Sequence, residues 1–223
     1  MIALADHAMP TTLVLVPTDL ERRQLAPALA GHGPLELCGF GPVAAAARTA
    51  ALVAARAPDR VLLVGIAGRL AGSLAIGAAY RFDRVACHGV GVGAGGAFVP
   101  AAALGWPQWP GEPAAPSDPI GDVIDLAGAH GGAAPSGGLL LTACAASATA
   151  GDVAARGTAF PAATAEDMEG FGVALACRLH GVPLAIVRGI SNAAGDRDHA
   201  RWRVADALAA AAAVAAGILE ASP

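Results

Sequence analysis

The chain has 223 residues, long enough for one α/β core spanning residues 1–223, and its interior must be filled by Ala, Val and Leu, because 55% of residues are hydrophobic and only 4% aromatic. A formal charge of −4 excludes a broad nucleic-acid footprint, which needs a clustered basic face, so a small-molecule partner is expected. Cys38, Cys87, Cys144 and Cys177 lack the spacing of a zinc site and read as ordinary thiols of a reducing cytoplasm; Cys87 precedes His88, but that pair has no further ligands in sequence reach.

The N-terminus, MIALADHAMP, has an early acid and no cationic start before an apolar run, unlike a signal peptide. Thr12–Val16 is a continuous apolar run and predicts a strand covered on both faces. Pro17-Thr18-Asp19-Leu20-Glu21 follows, with a helix beginning near Asp19. Gly39-Phe40-Gly41 then opens an Ala-rich helix over Pro42–Ala57. Val61–Val64 predicts a second strand, ending in the turn Gly65-Ile66-Ala67-Gly68. His88–Phe98 is Gly-rich and reads as a flexible turn near a site or as a long hairpin; it lacks the strand and acid of a dinucleotide fingerprint. Five prolines across Pro107–Pro119 predict an exposed loop or insertion.

Ala165–His180 predicts a helix stopped by Gly181 and Pro183, with Glu166-Asp167-Met168-Glu169-Gly170 at its start. Leu184–Val187 is the third strand, running into Arg188-Gly189-Ile190-Ser191-Asn192 and Gly195-Asp196-Arg197-Asp198. Ala200–Glu220 predicts the last helix; its apolar part is Ala-dominated and interrupted by Asp206, as in a packed helix and not a membrane span. Strands alternating with helices imply a mostly parallel sheet flanked on both faces.

Ligands in such folds sit beyond the carboxyl ends of strands, which brings three acid-bearing segments and one Gly-rich turn toward a single crevice. Carboxylates there suit glycosidic hydrolysis, which needs a base for water and polar groups for a cationic sugar. The plain alternatives are that Glu169 complements a helix dipole and that Glu21 is a surface acid on its helix.

Taken together, five segments resemble the nucleoside phosphorylase/nucleosidase family. Cys38–Ala45 resembles its G-x-G-x-V-A-A helix entry, and Val61–Gly68 its strand and G-x-A-G turn. Leu74-Ala75-Ile76-Gly77 resembles the approach to its next strand, with Ala78 where an acid is usual. Asp167-Met168-Glu169-Gly170 resembles E-M-E-[AG], and Val187–Asn192 resembles V-R-x-I-S-D. The resemblance implies a three-layer fold with a central mixed, mostly parallel sheet flanked by helices, a homo-oligomer, and neither cofactor nor metal. Within the family, Met168–Ala174 and Arg188–Asp198, followed by Trp202, resemble the branch that hydrolyses futalosine, a hypoxanthine nucleoside of menaquinone biosynthesis. Nucleosidases for methylthioadenosine/S-adenosylhomocysteine or aminofutalosine are the alternatives, with phosphorylases and non-catalytic nucleoside binders beyond them.

The same resemblance implies roles. Glu21 matches the acid that activates water, Glu169 the carboxylate that binds ribose hydroxyls, and Met168, beside Asp167, the side chain against the sugar. Ile66, Ala67 and Gly68 match the turn beside the substrate, where Ile66 replaces the hydroxyl expected of a phosphate site. Asn192 takes the base-recognition position, where adenine nucleosidases carry an aspartate; since an amide supplies no proton, either the base departs as an anion held by hydrogen bonds, or Asp196 or Asp198 protonates it. Thr142–Ser147 matches the loop that offers an aromatic to the purine but holds none, leaving Ser147 there and Phe160 or Trp202 as substitutes. Arg188 is expected to pair with a buried acid; Arg69, Arg197 and Arg201 are the charge-based candidates for a carboxylated arm on the substrate.

Overall fold

The computed structural model describes residues 11–112, 118–126 and 134–221; the MIALADHAMP segment and the centre of the proline-rich loop lie outside them. The chain runs β1 (Thr12–Val16), α1 (Asp19–Leu29), β2 (Leu35–Leu37), α2 (Pro42–Arg56), β3 (Arg60–Arg69) and β4 (Ala79–His88). It continues through β5 (Gly91–Val92), β6 (Val99–Pro100), β7 (Val123–Asp125), β8 (Ser136–Ala143) and α3 (Ala150–Ala159). β9 (Ala163–Asp167), α4 (Gly170–Leu179), β10 (Leu184–Ala193) and α5 (Val204–Glu220) complete it.

Eight strands form one mixed sheet, in the order β10-β4-β8-β9-β3-β1-β2, with β7 on the side of β4 and an added pairing of β10 with β3. That added pairing closes β3, β10, β4, β8 and β9 into a ring, from which β1 and β2 extend as a wing. Pairings of β1 with β2 and β3, of β10 with β3, and of β8 with β4 and β9 are parallel. Those of β10 with β4, β3 with β9, and β4 with β7 are antiparallel.

The three layers follow from strand alternation. Leu13, Leu15, Val61, Leu63 and Ile186 point toward α2 and α4, where they pack with Leu52, Val53, Phe171 and Cys177. Val14, Val16, Leu62, Val64, Ala185 and Val187 point the other way, onto Leu25 and Leu29 of α1 and Leu208, Ala211 and Ala215 of α5. Both faces are covered, which is why these strands read as unbroken apolar runs. The small residues set the spacing between layers. A Cβ on Gly189 would meet the Ala207 carbonyl oxygen of α5 at 2.0 Å, and one on Gly172 the Pro42 carbonyl oxygen of α2 at 2.2 Å.

Three sequence expectations need correction. The Gly65-Ile66-Ala67-Gly68 turn expected after Val64 is the outer half of β3, held extended to Arg69 by pairing with β10. The helix expected over Ala165–His180 begins at Gly170, because Ala163–Asp167 is a strand whose backbone is hydrogen-bonded to β8 and β3. The last helix starts at Val204, preceded by a single 3₁₀ turn at His199–Arg201. The Gly-rich His88–Phe98 stretch is a hairpin, with Gly91–Val92 paired to Val99–Pro100. The described flanks of the proline-rich loop are tied by an antiparallel bridge between Trp109 and Ile120. No helix among the described residues is long and apolar enough to cross a membrane.

Candidate active site

A cavity of about 560 Å³ opens beyond the ends of β1, β3, β9 and β10 and the loop after β8. Four acidic residues, Glu21, Glu166, Asp167 and Glu169, are buried in its wall.

Glu21 is placed by a capping box. The Thr18 hydroxyl accepts from the Glu21 N–H at the start of α1, while Glu21 Oε2 accepts from the Thr18 N–H (3.1 Å) and hydroxyl (2.6 Å). Its Oε1 accepts from the Ile66 N–H at 3.0 Å, which ties α1 to β3. Glu21 is therefore neither a free surface acid nor only a cap: it is buried, lines the cavity, and Oε1 retains a lone pair.

Beside it lies Arg188, fully buried from the middle of β10. Its Nε and Nη2 donate to Asp167 Oδ2 at 3.1 and 2.7 Å, and Nη2 reaches Glu169 Oε2 at 3.4 Å. Nη1 is buried with no hydrogen-bond partner among the described residues. A Cβ on Gly65 would sit 2.2 Å from that nitrogen and 2.7 Å from Glu21 Oε1, so only glycine lets the two groups share this corner.

Glu169 and Asp167 divide what the sequence left together. The Asp167 carboxylate is wholly enclosed: besides Arg188, it accepts from the Gly170 N–H at 2.9 Å and the Thr142 hydroxyl at 2.6 Å. Asp167 thus forms part of the wall, but its acid faces the interior and starts α4, the role considered for Glu169. Glu169 makes no capping bond; its Oε1 accepts from the Gly41 N–H at 3.1 Å. Burial raises its carboxyl to about 7, against the opposing pull of Arg188. Met168, between them, is half-buried on the cavity wall.

At the opposite side, β10 bulges: Ile190 pairs with Ala67 and Asn192 with Gly68, leaving Ser191 as the extra residue. The Ser191 hydroxyl donates to Asn192 Oδ1 at 2.8 Å, and Asn192 Nδ2 donates one hydrogen to the Ala193 carbonyl at 2.8 Å. The other Nδ2 hydrogen remains for a ligand. Ser147 lines the cavity, yet its N–H and hydroxyl both donate to Glu166, at 2.8 and 2.7 Å.

Trp202 stands at the mouth, stacked on His199 at 4.4 Å between ring centroids and with the Arg197 guanidinium 5.4 Å above its ring. Phe160 is elsewhere, packed with Leu139, Leu141 and Ala86 under α3. Asp196 and Asp198 also lie outside the lining. Asp196 accepts from the Asp198 N–H (2.9 Å) and Arg201 (2.8 Å), while Asp198 accepts from the Ala200 N–H at 3.2 Å. Ile66, Ala67 and Gly68 form the floor. Glu166, Thr18, Phe40 and His199 line the cavity without having been singled out from sequence, the alternation of β9 being the signal for the first, while Arg197, a charge-based candidate, does line it.

Residues 25–222 match the phosphorylase superfamily. The chain belongs to that superfamily. It is 37% identical over 177 residues to a futalosine hydrolase of Streptomyces coelicolor, covering 77% of this chain and 72% of the relative. It is 35% identical to a futalosine hydrolase of Thermus thermophilus, covering 78% of this chain and 75% of that one. Among solved structures it resembles the futalosine hydrolase of Helicobacter pylori, with a TM-score of 0.73 at 16% identity over 96% of this chain and 99% of that one. It also resembles a methylthioadenosine/S-adenosylhomocysteine nucleosidase of Neisseria meningitidis in complex with methylthio-immucillin-A, with a TM-score of 0.73 at 24% identity, covering 95% and 99% of the two chains. These likenesses fit the mixed sheet and its flanking helices.

Proposed function

We propose that the chain, acting as one domain, hydrolyses the N-glycosidic bond of futalosine, releasing hypoxanthine in menaquinone biosynthesis. The observation that carries hydrolysis is the Ile66 N–H. It lies in β3 at the position where the family resemblance expects a phosphate-binding hydroxyl, which Ile66 lacks, and here it is bound by Glu21 Oε1 at 3.0 Å. A carboxylate fixed at this corner repels a dianion and suits a water. The two futalosine hydrolase relatives support the choice of nucleoside.

Glu21, through the lone pair left on Oε1, takes the proton of a water in the cavity, and the resulting hydroxide attacks the anomeric carbon. Glu169 accepts from the ribose hydroxyls, and the cationic sugar of the transition state favours its ionised form. Asn192 Nδ2 donates to the hypoxanthine edge. Because Asp196 and Asp198 lie outside the cavity, the base departs as an anion held by hydrogen bonds. Arg197, with Trp202 and His199, receives the carboxylated aromatic arm, since Arg201 is paired with Asp196 and Arg69 donates to the Leu74 carbonyl. The enzyme acts in the cytoplasm, in keeping with four free thiols, and as a homo-oligomer, in keeping with exposed Leu20, Phe40 and Val43 beside the cavity.

A nucleoside panel of futalosine, aminofutalosine, methylthioadenosine and inosine, run with and without phosphate, tests the reading. Phosphate-independent release of hypoxanthine from futalosine is expected. Phosphate dependence, or preference for methylthioadenosine, overturns it.

A further inference from the structure

Glu166 has no part in the chemistry above, yet it is a buried carboxylate in the cavity wall. Its setting is specific. Ser147 donates to Oε1 from its N–H and to Oε2 from its hydroxyl, and Arg156 of α3 pairs with Oε2. Oε2 is thereby saturated, while Oε1 carries one donor and keeps a lone pair. The Arg156 guanidinium also donates to the Ser147 hydroxyl at 2.7 Å and to the Ala145 carbonyl. The loop after β8 and the acid are therefore locked to each other.

The sheet register places this acid opposite Asn192. Gly68 of β3 pairs with Asn192 of β10 on one side and with Glu166 of β9 on the other. Residues paired across neighbouring strands project from the same face, so Asn192 and Glu166 rise on either side of a residue with no side chain. Two strand spacings separate their Cα atoms by about 10 Å. All three residues line the cavity. The rung is a slot floored by glycine, with an amide N–H on one wall and a carboxylate on the other.

We infer that Glu166 is a specificity-determining residue that accepts the N1–H of a 6-oxopurine whose O6 or N7 is bound by Asn192. A 6-oxopurine presents an acceptor at position 6 next to a donor at N1, which complements this pair. A 6-aminopurine has an acceptor at N1, and its lone pair would face the carboxylate, leaving a buried charge unmatched. The inference rests on the purine nucleoside hydrolase reading and extends it to how the base is chosen.

The test is kcat/KM for futalosine and aminofutalosine on the parent and on Glu166→Gln, with inhibition by free hypoxanthine, adenine and 1-methylhypoxanthine. The glutamine retains an oxygen for Ser147 and Arg156 but removes the charge. The parent's preference for the 6-oxo nucleoside should shrink about 10- to 100-fold in the variant, the range of a hydrogen bond to a charged group. Equal losses on both nucleosides would mean that Glu166 only anchors the loop, and would overturn the assignment. Should the variant fail to fold, the parent decides: hypoxanthine should inhibit at least about tenfold better than adenine or 1-methylhypoxanthine. Equal inhibition by the three overturns the assignment. If the parent turns over neither nucleoside, the hydrolase reading fails, while the ranking of the free bases still decides the role of Glu166.

Discussion

Gly65→Ala is the smallest change that attacks the catalytic corner without removing a functional group. The added methyl would lie 2.2 Å from Arg188 Nη1, 2.7 Å from Glu21 Oε1 and 3.1 Å from Pro17 Cδ. Normal separation is about 3.5 Å, so the guanidinium or β3 must shift by about 1 Å. Arg188 has little freedom to do so, since Asp167 holds it through two nitrogens and neither side chain is exposed. Overpacking of this kind costs about 1–3 kcal/mol, which for a chain of this size lowers the melting temperature by roughly 2–4 °C per kcal/mol. A misplacement of about 1 Å at the reacting groups is expected to reduce turnover about 100-fold. Gly68→Ala is the control, because its methyl would meet Glu166 Cγ at 3.5 Å and Ala194 Cα at 3.6 Å, ordinary contacts. That variant should melt like the parent but bind nucleoside less well, since the methyl rises from the cavity floor. Thermal melts and kcat/KM from chromatographic hypoxanthine release measure both. A Gly65→Ala protein with parental melting and turnover within twofold would show that close packing of Arg188 against Glu21 does not shape the site.

Glu21→Gln keeps the shape of the capping box but removes the base, so turnover should fall roughly 10²–10⁴-fold with modest loss of binding; near-parental turnover assigns the role to another group. Burial holds the Glu169 carboxyl near about 7, above its ordinary 4.5, so the folded chain retains a proton that the unfolded chain releases. Its contribution to stability is present below about 4.5 and lost as pH rises through about 7. Glu169→Gln should therefore flatten the melting temperature across that window, and an unchanged slope would refute the assignment. Asn192→Asp should narrow or reverse the preference for futalosine over aminofutalosine, read as a ratio of kcat/KM; an unchanged ratio removes Asn192 from base recognition.

Legibility in the sequence tracked how local each determinant is. β1 was read to the residue because Thr12–Val16 is buried on both faces and bounded by turn residues. The cores of β3 and β10 were read for the same reason, but their ends were not. Gly65–Arg69 and Arg188–Ala193 look like turns by composition, and stay extended only because the two strands pair with each other through a bulge. Composition does not show β4 or β8, because AYRFDRVACH mixes charge with apolar residues and SGGLLLTA opens on glycines; only the resemblance of Leu74–Gly77 to a strand approach points to β4. Their strand character comes from partners far along the chain. The cavity gathers Glu21, Met168, Glu169, Asn192 and Trp202, all expected from motif resemblance, but leaves out Phe160, Asp196 and Asp198. Phe160 is drawn into a separate cluster under α3, and the two aspartates fold back on their own loop.

The acids of Glu166-Asp167-Met168-Glu169 show most clearly where sequence reading stops. Read as one helix, they would share a first turn and a dipole role. As the end of a strand, neighbours 166 and 167 must face opposite ways, and the strand then breaks into α4. Alternation sends Glu166 to Ser147 and Arg156, and Asp167 to Arg188 and Thr142. The turn at the strand end brings Glu169 to the Gly41 N–H in the cavity wall. Each acid is then given its chemistry by a cation or amide between 10 and 128 residues away. None of those pairings leaves a trace in local spacing. The strand, and not a helix, is therefore what turns Glu166 into the cavity wall while enclosing the Asp167 carboxylate against Arg188.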